Sequence, residues 1–269
     1  MYSKVMKWVN TGAFAAMIIV NALANLIPFG GKTTGQVSEA YPNLFTPAPI
    51  TFAIWGLIYL VMGIFVIEQW GVGAFRENGP KYLDAIGLWF AVSCIFNIGW
   101  IFSWHADAIG LSCIMILGML VSLIFAEVGI SSVSATGLSR VIAVGGFDLY
   151  LGWIVAALIA NTCVYLSQFS GSGLLYNDLY RTITALVVGT LIAVMIELLF
   201  GKWVTVASVL WAFVGIMIRH ISPSGHAGAY PAVIIAVMIG AFVILLSIIF
   251  RLFGGKCVPA KKNAAQTDA

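Results

Sequence analysis

Charged residues are scarce in this chain of 269 residues. Only 9% of them are Asp, Glu, Lys or Arg, whereas a soluble domain has about 25%. Hydrophobic residues make up 61% of the sequence, and the mean hydropathy is +1.04. This composition excludes an ordinary soluble domain. It indicates an all-α polytopic membrane protein that is embedded in, and interacts with, the lipid bilayer.

Signals of metal, disulfide and nucleic-acid chemistry are missing as well. The four cysteines form no CxxC pair, so neither a disulfide framework nor a zinc site is indicated. The formal net charge is only +3 and the basic residues are spread along the chain, which argues against nucleic-acid binding. His220 and His226 are six residues apart in a Pro- and Gly-containing loop, so they do not form a helical metal pair. We predict no metal site and no catalytic residue.

Eight apolar runs are long enough to cross a bilayer as helices. They lie at about residues 5–28, 49–70, 82–104, 108–130, 146–168, 180–200, 203–219 and 229–251. The loop 29–48 joins the first two runs and is rich in Gly and Pro. Loops of this length are often lids or binding loops. Residues 252–269 form a polar tail.

Lysine and arginine are distributed unequally between the two sides of the predicted bundle. Ten of them fall on the side of the termini and three on the opposite side. Because positive charge is enriched in cytoplasmic loops, both termini are predicted to be cytoplasmic and the loop 29–48 to lie outside.

Acidic residues fall near the predicted cytoplasmic ends of the spans, and Glu127, Asp148 and Glu197 are examples. A carboxylate at the bilayer centre costs at least about 2.5–3.5 kcal/mol on insertion scales. We therefore interpret these residues as solvated helix ends. The alternative is a proton-coupling role for Glu127 or Glu197.

Amides and aromatic rings from four spans fall at one depth, just below the loop 29–48. In the fifth span Trp153, Ala157 and Asn161 follow at i, i+4 and i+8, so they share one helix face. The set predicts a roofed pocket lined by rings and a few hydrogen-bonding groups. The structural alternative is that the asparagines join helices and the aromatic residues mark membrane interfaces.

Three spaced motifs resemble the tryptophan-rich sensory protein/translocator protein (TspO/MBR) family. They are Trp55-x3-Tyr59-x2-Met62-Gly63, Asn97-x2-Trp100 and Tyr150-x2-Trp153-x3-Ala157-x3-Asn161. The resemblance covers about residues 1–168 and implies a TspO-like five-helix transmembrane unit with a pocket closed by its first loop. Residues 169–251 then add three transmembrane helices, and 252–269 form a cytoplasmic tail.

The resemblance also implies a ligand and the residues that contact it. Family members bind tetrapyrroles, sterols and synthetic hydrophobic ligands, so a porphyrin-like ligand is expected, with no required cofactor. The implied ligand-binding residues are Trp55, Tyr59, Asn97, Trp100, Tyr150, Trp153, Ala157 and Asn161, with Asn21, Asn25 and Trp104 as secondary candidates. The implied location is the inner or plasma membrane, and a homodimer is one possible assembly.

The chain departs from the family pattern at several positions. Pro47-Ala48-Pro49-Ile50 stands where the family usually has Pro-Pro-Gly-Trp, and Ala53 and Leu149 replace prolines. Three functions therefore stay open. The first is ligand binding for sensing or translocation, the second is secondary transport of a small metabolite, and the third is a porphyrin-modifying membrane enzyme. The third is disfavoured because the sequence shows no nucleophile, metal or cofactor constellation.

Overall fold

The computed structural model describes residues 2–72, 78–134, 136–169, 171, 173 and 176–254, and these contain helices and no strand. Most of the predicted polar tail, residues 255–269, lies outside the described part. The helices are α1 (Tyr2–Leu26), α2 (Thr34–Glu39), α3 (Ile54–Glu68), α4 (Gly79–Ile86), α5 (Trp89–His105), α6 (Ile109–Ser131), α7 (Gly137–Arg140), α8 (Gly146–Ser167), α9 (Asp178–Phe200), α10 (Trp203–Ile221) and α11 (Pro231–Leu252). Short 3-10 turns occupy Phe29–Gly31 and Pro49–Ala53, and a π-helical turn, Val141–Gly145, joins α7 to α8.

Seven helices within the described ranges are long and apolar enough to cross a membrane. The helices α4 and α5 form an eighth candidate span that is bent by 66°. Gly87 lies at this bend with φ of 57°, a backbone conformation that glycine adopts without strain. The structure therefore confirms an all-helical polytopic fold with up to eight spans.

Helix α8 lies at the centre of the bundle. It packs against α6 on one side and α10 on the other, and it also contacts α3 and α9. Inside the protein, 61% of its membrane-spanning window is buried, compared with 22% for α1. Helix α8 carries Tyr150, Trp153 and Asn161 together with small residues, and these residue types favour contact with other helices over contact with lipid.

Buried apolar side chains form two clusters that meet at α8. The larger cluster joins α1, α3, α5, α6 and α8, and the smaller joins α9, α10 and α11. The loop 29–48 contributes to both, because Val37 belongs to the first cluster and Phe45 to the second. The three C-terminal helices thus share a core with the loop that covers the first five spans.

The helices α8 and α10 approach each other most closely at Gly152. A Cβ atom at this position would collide with the backbone carbonyl oxygen of Thr205 and would lie 2.9 Å from Cβ of Ser208. The hydroxyl of Ser208 donates a hydrogen bond to the Leu149 carbonyl at 3.0 Å. Gly152 therefore serves close helix packing, as small residues do in membranes.

Gly152→Ala should separate α8 from α10 and lower the free energy of unfolding by about 1–3 kcal/mol, because the new methyl group overpacks the contact. The matched control is Gly12→Ala, since Gly12 has open space around its Cβ position. The control should be neutral or stabilise α1 by about 0.5–1 kcal/mol. Thermal unfolding in detergent measures both, and equal midpoints for the two variants would contradict the close contact.

Candidate ligand-binding site

A cavity that we call the main cavity lies under the loop 29–48, between α3, α5, α6, α8 and α10. Among the residues that the structure describes, no charged side chain lines it. Its walls consist of aromatic rings, the small-residue face of α8 and parts of the loop. The lining residues are Thr34, Ser38, Phe45, Thr46, Pro47, Phe52, Trp55, Trp100, Trp104, Ile116, Trp153, Ala156, Ala157, Ala160, Asn161, Val164, Ala212 and Ile216.

A second cavity, the side cavity, lies between α1, α3, α5 and the same loop. Its lining includes Ile18, Asn21, Asn25, Gly56 and Tyr59 and carries no charged side chain. The side cavity holds about 440 Å³, whereas the main cavity holds only about 50 Å³. Since ligand pockets usually measure about 300–1,000 Å³, the side cavity has ligand size by itself and the main cavity does not.

Two stacked tryptophans separate the cavities. Trp55 and Trp100 line both of them, and their ring centroids are 5.7 Å apart at an interplanar angle of 26°. Trp55 also stacks on Tyr59 at 5.4 Å and meets Tyr150 and Trp153 edge to face at 5.9 and 6.2 Å. A shift of these two rings would join the cavities into one space.

Behind the rings, a chain of hydrogen bonds links five spans, α3, α1, α5, α8 and α6, and fixes the position of the wall. Tyr59 donates to Asn21 Oδ1 at 2.8 Å, and Asn21 donates to Asn97 Oδ1 at 2.7 Å. Asn97 in turn donates to the Tyr150 hydroxyl at 3.4 Å, and Tyr150 donates to Met119 Sδ at 3.2 Å. Asn97 and Tyr150 lie behind the lining and contact neither cavity directly.

The other residues proposed from the sequence line one cavity or both. Trp153, Ala157, Asn161 and Trp104 face the main cavity, Asn21, Asn25 and Tyr59 face the side cavity, and Trp55 and Trp100 face both. Their contact with a ligand stays a prediction.

Two polar groups of the main cavity differ in how well they are paired. Asn161 accepts a hydrogen bond from Trp100 Nε1 at 3.4 Å and donates to Ser112 and Cys113, so its amide is occupied. The indole nitrogen of Trp153 is buried without a hydrogen-bond partner. An unpaired buried donor costs about 1–3 kcal/mol. A ligand with a hydrogen-bond acceptor would remove this cost.

The loop 29–48 forms a roof, and one side of it is held by α5. Trp104 Nε1 donates to the Thr34 carbonyl at 3.2 Å. The ring of His105 bridges the Thr34 hydroxyl and the Phe29 carbonyl, both at 3.2 Å. Beyond the helix, the Tyr41 hydroxyl donates to Asp107 at 2.9 Å.

The opposite side of the roof is held by the C-terminal helices. The Leu44 amide donates to Asp178 Oδ2 at 3.0 Å, and the Leu44 carbonyl accepts from His220 Nε2 at 2.9 Å. The Ala48 amide donates to the Gly215 carbonyl at 2.9 Å. Two of the last three helices, α9 and α10, whose role the sequence left unassigned, thus hold this side of the roof.

Helix α10 also supplies two lining residues that sequence reasoning missed. Ala212 and Ile216 face the main cavity, and between the cavity and solvent Trp211 Nε1 donates to the Thr51 carbonyl at 2.8 Å. An alanine and an isoleucine in an apolar span carry no signal of their own. Only the approach of α10 to α8 reveals their position.

At the opposite end of the bundle, the acidic residues are buried. Glu127 and Asp148 are each 5% exposed, and both bind Lys202. The interpretation of these acids as solvated helix ends is therefore wrong. Their partner lies in the α9–α10 connection, far away in sequence.

Fold and site together define an α-helical multi-pass membrane protein with an aromatic-walled cavity under a loop roof. A family model described as TSPO-like protein matches residues 7–250, and the chain therefore belongs to the TSPO-like protein family. The match confirms the resemblance, and it extends past residue 168 to include most of the three C-terminal helices. No curated protein and no solved structure matches the chain.

His220→Ala should loosen the roof, because it leaves the buried Leu44 carbonyl without its donor at a cost of about 1–3 kcal/mol. Hydrogen exchange of the amides in residues 34–48 should become on the order of tenfold faster. Ser222→Ala is the control, since Ser222 bonds only to Ser224 through its side chain. Unchanged exchange in His220→Ala would contradict the roof contact.

Acidification should also loosen the roof through His226, whose ring packs 4.6 Å from that of His220. Burial lowers the pKa of His226, as do the nearby His220 and Arg219, while Asp178 acts in the opposite direction. The packed ring therefore binds a proton less readily than a free one. The contact stabilises the folded protein fully at pH values above the ordinary histidine pKa of about 6.5. This stabilisation decreases as the pH drops through and below that pKa.

Hydrogen exchange of residues 34–48 at several pH values, corrected for intrinsic rates, measures this effect. His226→Asn should flatten the pH dependence. An equally steep dependence in the variant would show that His105 or another group is responsible.

Proposed function

We propose that this protein binds a hydrophobic planar small molecule, such as a porphyrin, in the two cavities joined through their tryptophan wall. The observation that carries the proposal is the wall itself, in which Trp55 and Trp100 stack between two uncharged spaces. Aromatic faces bind flat ring systems by stacking. The proposed role is sensing or translocation in the inner or plasma membrane, with the roof on the outer side.

The geometry supports a defined orientation for such a ligand. Its flat surface would replace the contact between the two tryptophans, and an acceptor atom would meet the free N–H of Trp153. The described residues place no cation in the lining of either cavity, so carboxylates on the ligand would have to remain at the mouth under the roof. Because Thr34 lines both cavities and its contacts hold the roof, entry from the outer side requires the loop 29–48 to move.

Secondary transport is the alternative, and the buried ion group at the opposite end of the bundle favours it. Charged residues inside a membrane often mark ion or proton pathways. Flux of a labelled solute in proteoliposomes distinguishes transport from binding alone. A porphyrin that binds without crossing the membrane would support a sensor.

The binding proposal is tested by titrating purified protein with protoporphyrin and following tryptophan fluorescence. We expect saturable quenching. Trp153→Leu and Asn161→Ala should each weaken the affinity about tenfold, which corresponds to about 1.4 kcal/mol. The first variant removes an edge-to-face partner and a free donor, and the second removes the acceptor that positions Trp100.

Trp203→Leu is the matched control, because Trp203 is exposed at the start of α10 and lines neither cavity. It should bind as tightly as the unaltered protein. Non-saturating quenching that no substitution changes would overturn the proposal and move transport to first place.

A further inference from the structure

A buried group of three charged residues lies at the end of the bundle opposite the roof. Lys202 Nζ binds Glu127 Oε2, and it also binds Asp148 Oδ1 at 2.7 Å. The Thr205 hydroxyl donates a further hydrogen bond to Asp148 Oδ1 at 3.2 Å. Three helices meet at this group, because Glu127 lies near the end of α6, Asp148 lies in the first turn of α8, and Lys202 directly precedes α10.

The group contains one negative charge more than it can balance internally. Burial lowers the pKa of Lys202, but the charge of Glu127 and the hydrogen bond to Asp148 outweigh it and hold the pKa above its ordinary value. Lys202 therefore stays positive and can neutralise only one of the two carboxylates. An unbalanced charge in a poorly solvated place is expensive, at several kcal/mol per ion.

Two further charged residues in the described part of the chain lie near the group and bring no net positive charge to it. They are Glu197 on α9, which interacts with Asp148 and with Arg251, and Arg251 on α11. They have opposite signs and balance each other, and Arg251 also donates to the Leu198 carbonyl at 2.7 Å. The charged groups that act on Glu127 itself are Asp148 and Lys202.

Only one of the two carboxyl oxygens of Glu127 has a hydrogen-bond partner. Its Oε2 binds Lys202, whereas its Oε1 is buried with no hydrogen-bond partner. The side chain is 6% exposed. Lys202 Nζ binds one oxygen of each carboxyl, so the carboxyl groups of Glu127 and Asp148 lie next to each other around one ammonium group. Neighbouring carboxyls can form a hydrogen bond with each other only if one of them carries a proton.

We propose that Glu127 and Asp148 form a proton-binding site that holds one shared proton, while Lys202 pairs with the remaining negative charge. One carboxylate oxygen takes up H⁺ from water at this end of the bundle, and the resulting O–H donates to the other carboxyl. The group then carries no net charge. Paired carboxyls that share a proton in this way behave as one unit.

The proposed site is separate from the cavities, yet the same two helices carry both. Trp153 follows Asp148 on α8, and Ala212 follows Thr205 on α10. The Gly152 contact joins the two helices between these points. Protonation therefore acts on the pair of helices that forms one wall of the main cavity.

Infrared spectroscopy of the full-length protein at neutral pH tests the proposal without any ligand, through the C=O band of protonated carboxyl groups. The unaltered protein should show a band that Glu127→Gln and Asp148→Asn each reduce by one carboxyl equivalent, because the single remaining carboxylate pairs with Lys202. Lys202→Met should instead increase the band by one carboxyl equivalent, because both acids then bind protons. Glu39→Gln, at a half-exposed surface glutamate, should leave it unchanged.

A band that is the same in the unaltered protein, Glu127→Gln and Asp148→Asn would overturn the proposal. So would a Lys202→Met spectrum without an increase. If one variant does not fold, the other two still give the proton count. Since no ligand is added, a negative result here leaves the ligand-binding proposal standing, and failed porphyrin binding leaves this one standing.

Discussion

The close contact of α8 with α10 is the constraint on which the rest of the molecule depends. It exists because residue 152 is a glycine, so the backbones can approach to a distance that no side chain would permit. At one end the contact brings Lys202 to Asp148, and at the other it brings Ala212 and Ile216 into the cavity wall. Two functional regions far apart in space thus share one packing interaction.

Most polar side chains of the bundle are paired, as a bilayer requires of groups that water cannot reach. The chain from Tyr59 through Asn21 and Asn97 to Tyr150 is an example that joins four spans. Several buried side-chain atoms nevertheless have no hydrogen-bond partner, and two of them belong to the regions described above: Trp153 Nε1 to a residue that lines the main cavity, and Glu127 Oε1 to the charged group. Unsatisfied buried atoms are rare enough in native structures that each one calls for an explanation.

Hydropathy was sufficient to predict the spans, and helical spacing was sufficient to place Trp153 and Asn161 on the cavity wall. Both signals are local, and one sequence contains them in full. Contacts between distant residues were not predictable in this way. The acids were wrongly interpreted as solvated because their partner Lys202 lies 54 residues from Asp148 in the sequence. In the same way, the spacing around Asn97 could not reveal that this residue forms hydrogen bonds with Asn21 and Tyr150. Depth is predictable from sequence, whereas the direction of a side chain depends on its neighbours.

The attachment of the roof to the C-terminal helices has a consequence for biosynthesis. Leu44 leaves the ribosome long before its partners Asp178 and His220, which lie 134 and 176 residues further along the chain. Membrane proteins are made from the N-terminus onward, so the first five spans are complete while the loop above them has its α5 contacts but still lacks those from α9 and α10. The roof is held on one side only during this interval, and its second attachment forms only after α10 has entered the membrane.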